Sequence, residues 1–202
     1  MTVADLDLTP ELRRWLLTLA RESVRRGLGT GRPHFPEPAD VPLGATAPGA
    51  AFVTLRRDGD LLGCIGSMRP VRSLAEDVAA HAFDAAFRDP RLPAVTHDDL
   101  HHMVVEISVL GPLVEVEVVD RSELLALLRP GLDGLLVASG RRQGTFLPSV
   151  WHQVSGAEEF VDLLWRKAGL RPGSWPGDLV VHRYEVLEFG EHADPARSSR
   201  AG

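Results

Sequence analysis

The sequence predicts an α+β fold, mainly antiparallel sheet or sheets flanked by helices. Strand-like segments arrive in adjacent pairs separated by single helices, whereas a parallel sheet requires strand and helix to alternate strictly. Asp58-Gly59 lies between two strand-length apolar runs and tolerates the positive φ angles of a tight hairpin turn. Several segments also carry a capping residue followed by a helix-period apolar face.

In chain order, the first helix is expected over about Pro10 to Arg26, with Thr9 as cap, Pro10 at the first helical position and Gly27 and Gly29 as its end. Leu12, Leu16, Leu19 and Val24, with Trp15 beside them, form its apolar face. Gly29 to Gly49 holds Pro33, Pro36, Pro38, Pro42 and Pro48 and reads as a connection without regular structure, either ordered or a mobile flap. Ala51 to Arg57 and Leu61 to Gly66 are the two strands of the hairpin. Ser73 with Glu76 forms a capping box for a helix running to about Arg88, where Asp89 to Pro93 breaks it. Thr96 and Asp99 mark a short capped turn, Met103 to Leu110 a buried strand, and Leu113 to Val118 a strand with one wet face. Asp120 and Glu123 frame a third helix, Arg121 to Leu128. Gly134 to Ser139 and Thr145 to Leu147 are strands around a turn. Ser155 with Glu158 opens a fourth helix that ends at Gly169, and a final strand runs from about Leu179 to Phe189.

Composition narrows the function. With 202 residues the chain can bury a real core, and no apolar run approaches the roughly 20 residues of a membrane-spanning helix. The first twelve residues carry acidic rather than basic side chains before any apolar stretch, so a secretory leader is not expected. Twenty-two Lys+Arg against 28 Asp+Glu give a formal charge of -6, which disfavours nonspecific binding to a phosphate backbone. A single cysteine, Cys64, excludes an internal disulfide and a four-thiolate metal site and fits a reducing cytoplasm. No cofactor is called for.

Cys64 stands between Gly63 and Gly66, and glycines beside a thiol let a substrate or another backbone approach closely. The same residues would equally suit a small apolar side chain packed on a strand crossing. Glu106 lies in an apolar strand and needs either a wet face or a partner, for which Arg91 is the first candidate. Thr145 could meet substrate or make a structural hydrogen bond at a strand end. Lys167, the only lysine, sits in a last helical turn and complements the carbonyl dipoles there. His97, Asp98, Asp99, His101 and His102 are the one dense group of metal-ligand types, in a polar turn better read as solvated surface. His81 lies near the apolar face of its helix and reads as packed rather than catalytic.

Leu61 to Gly66, Asp89 to Pro93, Val105 to Pro112, Gly144 to Trp151 and Trp165 to Leu170 together resemble the AMMECR-one domain, the AmmeMemoRadiSam system protein A family, in order and across about Leu12 to Phe189. The resemblance implies two unequal lobes with a cleft between them, and a cytoplasmic protein associated with a Memo-type protein and a radical S-adenosylmethionine protein. It implies one domain over 1–202, with an ordered core of about 9–190, the 29–49 connection and a flexible tail at 191–202. The family's LRGCIG motif becomes Leu61, Leu62, Gly63, Cys64, Ile65 and Gly66, with Leu62 in place of the arginine. That change removes a cation beside the thiol. Two functions follow. In one, a cleft enzyme uses Cys64 as nucleophile or covalent anchor and Glu106 as acid/base or orienting carboxylate, with Gly63, Gly66, Arg91 and Thr145 contacting a small-molecule or peptide-like substrate. In the other, a noncatalytic adaptor docks the Memo-type or radical-SAM protein. Period two places Leu62, Cys64 and Gly66 on one strand face, and Glu106 would border it if its strand lies near the hairpin.

Overall fold

The structure, a computed structural model, describes residues 8–191, and these divide into two compact units. One comprises residues 8–110 with 187–191, and the other is Gly111–Val186. The flexible tail expected at 191–202 falls outside the described residues from 192 onward. Glu191 itself is anchored, accepting hydrogen bonds from the Val105 N–H (2.9 Å) and the Arg21 guanidinium.

In the first unit, helix α1 (Pro10–Thr30) begins where Thr9 caps the Leu12 N–H and ends at Gly31, whose φ of 66° is left-handed. It therefore runs one turn past the expected stop. Gly27 is buried inside it because the rings of Phe83 and Phe87 occupy the space where a Cβ would stand. Gly29 to Gly49 holds two short 3-10 turns, Pro38–Asp40 and Leu43–Ala45, and strand β1 (Pro48–Gly49). The segment is thus more ordered than its proline content predicts.

Strands β2 (Ala51–Arg57) and β3 (Asp60–Gly66) form the expected hairpin, with Asp58 at φ 51° and Gly59 at φ 93°. Strand β4 (Arg72–Ser73) pairs with β1 and leads into helix α2 (Leu74–Phe87), which opens on the full Ser73–Glu76 capping box. A single turn α3 (His97–Leu100) precedes β5 (Met103–Leu110). With β10 (Val186–Gly190) these make a four-stranded sheet in the order β10-β5-β2-β3, in which β2 is antiparallel to both neighbours.

Alternation decides what this sheet buries. Ala51, Val53 and Leu55 of β2 and Met103, Val105, Ile107 and Val109 of β5 point into a core shared with α1 and α2. Phe52, Thr54 and Arg56, with Val104, Glu106 and Ser108, take the other parity and remain half-buried or exposed.

The second unit repeats the principle. Its sheet runs β6 (Val114–Glu115), β9 (Val180–Tyr184), β7 (Gly134–Ser139), β8 (Arg142–Phe146), each pair antiparallel. The strand expected over Leu113 to Val118 is confined to two residues, and the long final strand is split between β9 and β10. Helices α4 (Arg121–Leu127) and α5 (Ala157–Lys167) pack here, tied by Arg121 to Asp162 at 2.5 Å. The α5 cap is Gly156 rather than Ser155, whose hydroxyl donates instead to Glu159 (2.7 Å). Trp151 stacks on Phe160 at 4.0 Å and donates to the Asp133 carbonyl, so its polar atom is satisfied inside the core.

Candidate functional site

The open face of the β10-β5-β2-β3 sheet carries the residues that the sequence singles out. Thr54 pairs with Cys64 on one side and with Glu106 on the other. Directly paired residues project to the same face, so Cys64, Thr54 and Glu106 form one row across three strands. Neighbouring strands lie about 4.8 Å apart, which separates the backbones at Cys64 and Glu106 by about 10 Å. Glu106 thus shares the face of Cys64 as expected, but with Thr54 between them. The Thr54 hydroxyl donates to Cys64 Sγ at 3.3 Å.

Arg91 is not the partner of Glu106. Glu106 pairs with Arg56, whose Nε lies 3.2 Å from its carboxylate, and both side chains are exposed. The pairing is local: Arg56 is two residues from Thr54 on β2, on the same face. Arg91 instead joins Asp89. Its Nε donates to Asp89 Oδ1 (2.8 Å) and its Nη2 to Oδ2 (2.6 Å).

Together these two residues grip the backbone of Cys64. The Cys64 N–H donates to Asp89 Oδ2 at 3.0 Å, and Arg91 Nη2 donates to the Cys64 carbonyl at 3.0 Å. Strand β3 is an edge of the sheet, and an edge strand presents unpaired N–H and C=O groups. Asp89 and Arg91 satisfy both groups of Cys64 as a neighbouring strand would. Because these groups face away from β2, Thr54 and Cys64 form a non-hydrogen-bonded pair, the closer of the two antiparallel pair types. This explains how a short hydroxyl reaches the sulfur. The Asp89 carboxyl is held well below the usual carboxylate range, first by its bonds from the Arg91 side chain and then by the N–H groups of Cys64 and Arg91.

The two glycines around Cys64 have steric reasons of their own. A Cβ at Gly63 would stand 1.9 Å from the Ala85 carbonyl oxygen, so α2 can cross β3 only over a glycine. Gly63 therefore faces the helix and not the open face, which corrects its assignment as a substrate contact. A Cβ at Gly66 would meet the Phe52 ring at 2.3 Å. The β2–β3 register shifts between Leu55 and Arg56, opposite Leu62. Leu62 is left without a partner and packs against the core. Position 62, where the resemblance implies an arginine, is here an apolar packing position, and strict period two does not extend past it.

The other candidates are placed as follows. Thr145, in the second unit, donates to the Leu135 carbonyl (2.8 Å) and shares a hydrogen bond with the Tyr184 hydroxyl (2.7 Å). Burial raises the Tyr184 phenol well above its ordinary pKa. Lys167 lies 5.0 Å from the Phe146 ring centre at the end of α5. Asp99 accepts from the Thr96 hydroxyl (2.7 Å) and from Arg57 (2.7 Å), which hold its pKa down to about 2. Among the described residues no group of three or more His, Cys, Asp or Glu is arranged to hold a metal.

A buried hub escaped the sequence reading. Asp77, with no exposed side-chain surface, accepts from the Ala51 N–H (2.9 Å), the Ser67 hydroxyl (3.2 Å) and Arg72 Nε (3.1 Å). His81, one turn on and also buried, has its Nε2 3.7 Å from Asp77 Oδ1, and neither ring nitrogen makes a hydrogen bond. The available signal was the Asp77/His81 spacing of four on a helix, which places both on one face.

Residues 17–189 match the AMMECR1 family model. A protein of Methanothermobacter thermautotrophicus is 36% identical over 180 residues, covering 88% of this chain and 93% of that protein. One from Pyrococcus furiosus is 34% identical, covering 90% and 89% respectively. The crystal structure of an uncharacterized protein from Pyrococcus horikoshii superposes with a TM-score of 0.81 at 33% identity, covering 88% of this chain and 90% of that one. The chain belongs to the AMMECR1 family.

Proposed function

We propose that the open sheet face around Cys64 is the substrate-binding surface of a small cytoplasmic enzyme acting on a small-molecule or peptide-like substrate. Cys64 serves as nucleophile or covalent anchor. The observation that carries this reading is the Thr54 hydroxyl directed at a half-buried sulfur whose own backbone is held on both sides. Thiols are partly ionised at neutral pH and strongly nucleophilic, so one cysteine suffices for covalent chemistry when its position is fixed. Thr54 orients the sulfur. Glu106, about 10 Å away by strand spacing, is too far to exchange a proton with it and, paired with Arg56, instead recognises the distal end of a bound substrate. Arg91 borders the near end, whereas Gly66 is overlaid by the Phe52 ring, 2.3 Å from where a Cβ would stand, and leaves no room there for a substrate contact.

A second reading is favoured by the chemistry of the thiol's neighbour. A threonine hydroxyl directs a sulfur but removes no proton from it, which also suits an adaptor that docks a Memo-type or radical-SAM protein. Cys64→Ser separates the two. Loss of the pathway's activity in a reconstituted system, with circular dichroism unchanged, supports the enzyme. Full activity together with retained copurification of the partner assigns the protein as an adaptor.

A further inference from the structure

Helix α2 buries an imidazole that no neighbour satisfies. The His81 side chain is 6% exposed and neither ring nitrogen makes a hydrogen bond, an arrangement that folded chains rarely leave standing. An acceptor lies just out of reach, Asp77 Oδ1 at 3.7 Å from Nε2. That oxygen is already taken. It accepts from Arg72 Nε at 3.1 Å and from the Ser67 hydroxyl at 3.3 Å, while Oδ2 accepts from the Ala51 N–H at 2.9 Å. Asp77 thereby ties the start of β2, the chain just past β3, and β4 to one helix.

These ties differ in how easily they are given up. Asp77 has no exposed side-chain surface and Ala51 is fully buried, whereas the Arg72 side chain is 36% exposed, so water can take over its guanidinium. A charge-assisted N–H···O bond is about 2.8 Å long, so the imidazole has only about 1 Å to move to make one with Oδ1. An imidazolium donates from both nitrogens, and beside one buried oxygen it repels the guanidinium that holds it.

We propose that His81 and Arg72 compete for Asp77 as a proton-operated switch: the protonated imidazole takes Oδ1, Arg72 is released to solvent, and the 67–72 connection loosens from α2. No role for Cys64 is needed. Burial is the main force against the proton and Asp77 the main one for it, with Arg72 adding to the first and Asp84 to the second. The Arg72-bound state therefore holds at neutral pH, and the switch turns in mildly acidic solution. The other elements packed on α2 bring no free charge to the ring. Helix α1 directs the Ser23 hydroxyl to the Ala79 carbonyl, and its Glu22, Arg25 and Arg26 pair among themselves. Strand β2 ends in Arg57, held by Asp99. Strand β3 has Asp60 at its exposed start and Cys64 on the face opposite to Gly63, which is the one that meets α2.

Hydrogen exchange into the whole protein at pH 7.5 and pH 5.0 tests the switch, read as protection factors so that the intrinsic pH dependence of exchange cancels. Protection of residues 67–73 is expected to fall about tenfold at the lower pH, as loss of one hydrogen bond to a charged group dictates, while that of β2 and β5 is kept. In His81→Phe the segment should stay protected at both pH values. In Arg72→Gln it should be as poorly protected at pH 7.5 as at pH 5.0, so the test remains decisive if either variant fails to fold. Unchanged protection in the native protein overturns the switch. So does a fall that persists in His81→Phe, or one shared equally by β2 and β5, which would mark a general loss of stability in acid.

Discussion

Gly63 shows how a residue that looks permissive for ligands can be required by packing. The motif around Cys64 invites the idea that its glycines clear space for a substrate, yet the space beside Gly63 is already filled by the Ala85 carbonyl 1.9 Å from where a Cβ would stand. Backbone cannot yield as a side-chain tip does. Gly63→Ala is therefore expected to destabilise the protein by about 3 kcal/mol, the upper range for overpacking, read as a lower urea midpoint at unchanged m-value. A change under about 0.5 kcal/mol would show that α2 does not approach β3 as described. Cys64 stands out in the sequence as the single cysteine set among glycines. Its partners were not legible there, because Asp89 and Arg91 meet it through its backbone groups, 25 and 27 positions away, and backbone bonding leaves no trace in residue type. Likewise Arg91 could be named as a candidate pair for Glu106, but the cross-strand neighbour Arg56 was closer once the register was known.

At the scale of elements, the hairpin, the capping box of α2 and the cap of α4 were all legible, since each depends on residues within four positions of one another. Ends and long partners were less so. Helix α1 passes Gly27 because burial against Phe83 and Phe87 favours a residue without a side chain there, and this tertiary demand outweighs the stop signal. Helix α2 also contains a pH-sensitive group. Burial lowers the pKa of His81 below its ordinary 6.5, with Asp77 and Asp84 opposing and Arg72 reinforcing the shift. The unfolded chain takes up a proton at this histidine at a pH where the folded chain does not, so stability declines as pH falls through about 6.5. The slope contributed is up to about 1.4 kcal/mol per pH unit until the folded group also titrates. A urea midpoint that drops between pH 7.5 and 5.5, and drops less in His81→Phe, is the expected result; parallel behaviour of the two proteins would place the proton elsewhere. A separate loss belongs to lower pH, below about 4, where Asp89 and Asp99, whose pKa values are depressed in the fold, become protonated.

For the whole molecule, the α+β class and its antiparallel pairing were legible from the rhythm of paired strands and single helices. The family was legible from motifs spread over nearly the entire chain. Two unequal lobes were implied by the resemblance, but where the chain divides between them was not legible in the residues, because the first unit closes only when β10, some 75 residues after β5, joins its sheet. That return also brings in Glu191, which fixes the start of β5 to α1 through Val105 and Arg21. No described helix is long and apolar enough to cross a membrane. The proposed function needs one property above all, a native thiol that small molecules can reach. Since the chain has one cysteine, intact-mass measurement after iodoacetamide treatment at neutral pH reports on Cys64 without ambiguity. A single carbamidomethyl group acquired by the folded protein is the predicted result, whereas a thiol that reacts only after unfolding in urea would contradict the substrate-facing role of Cys64.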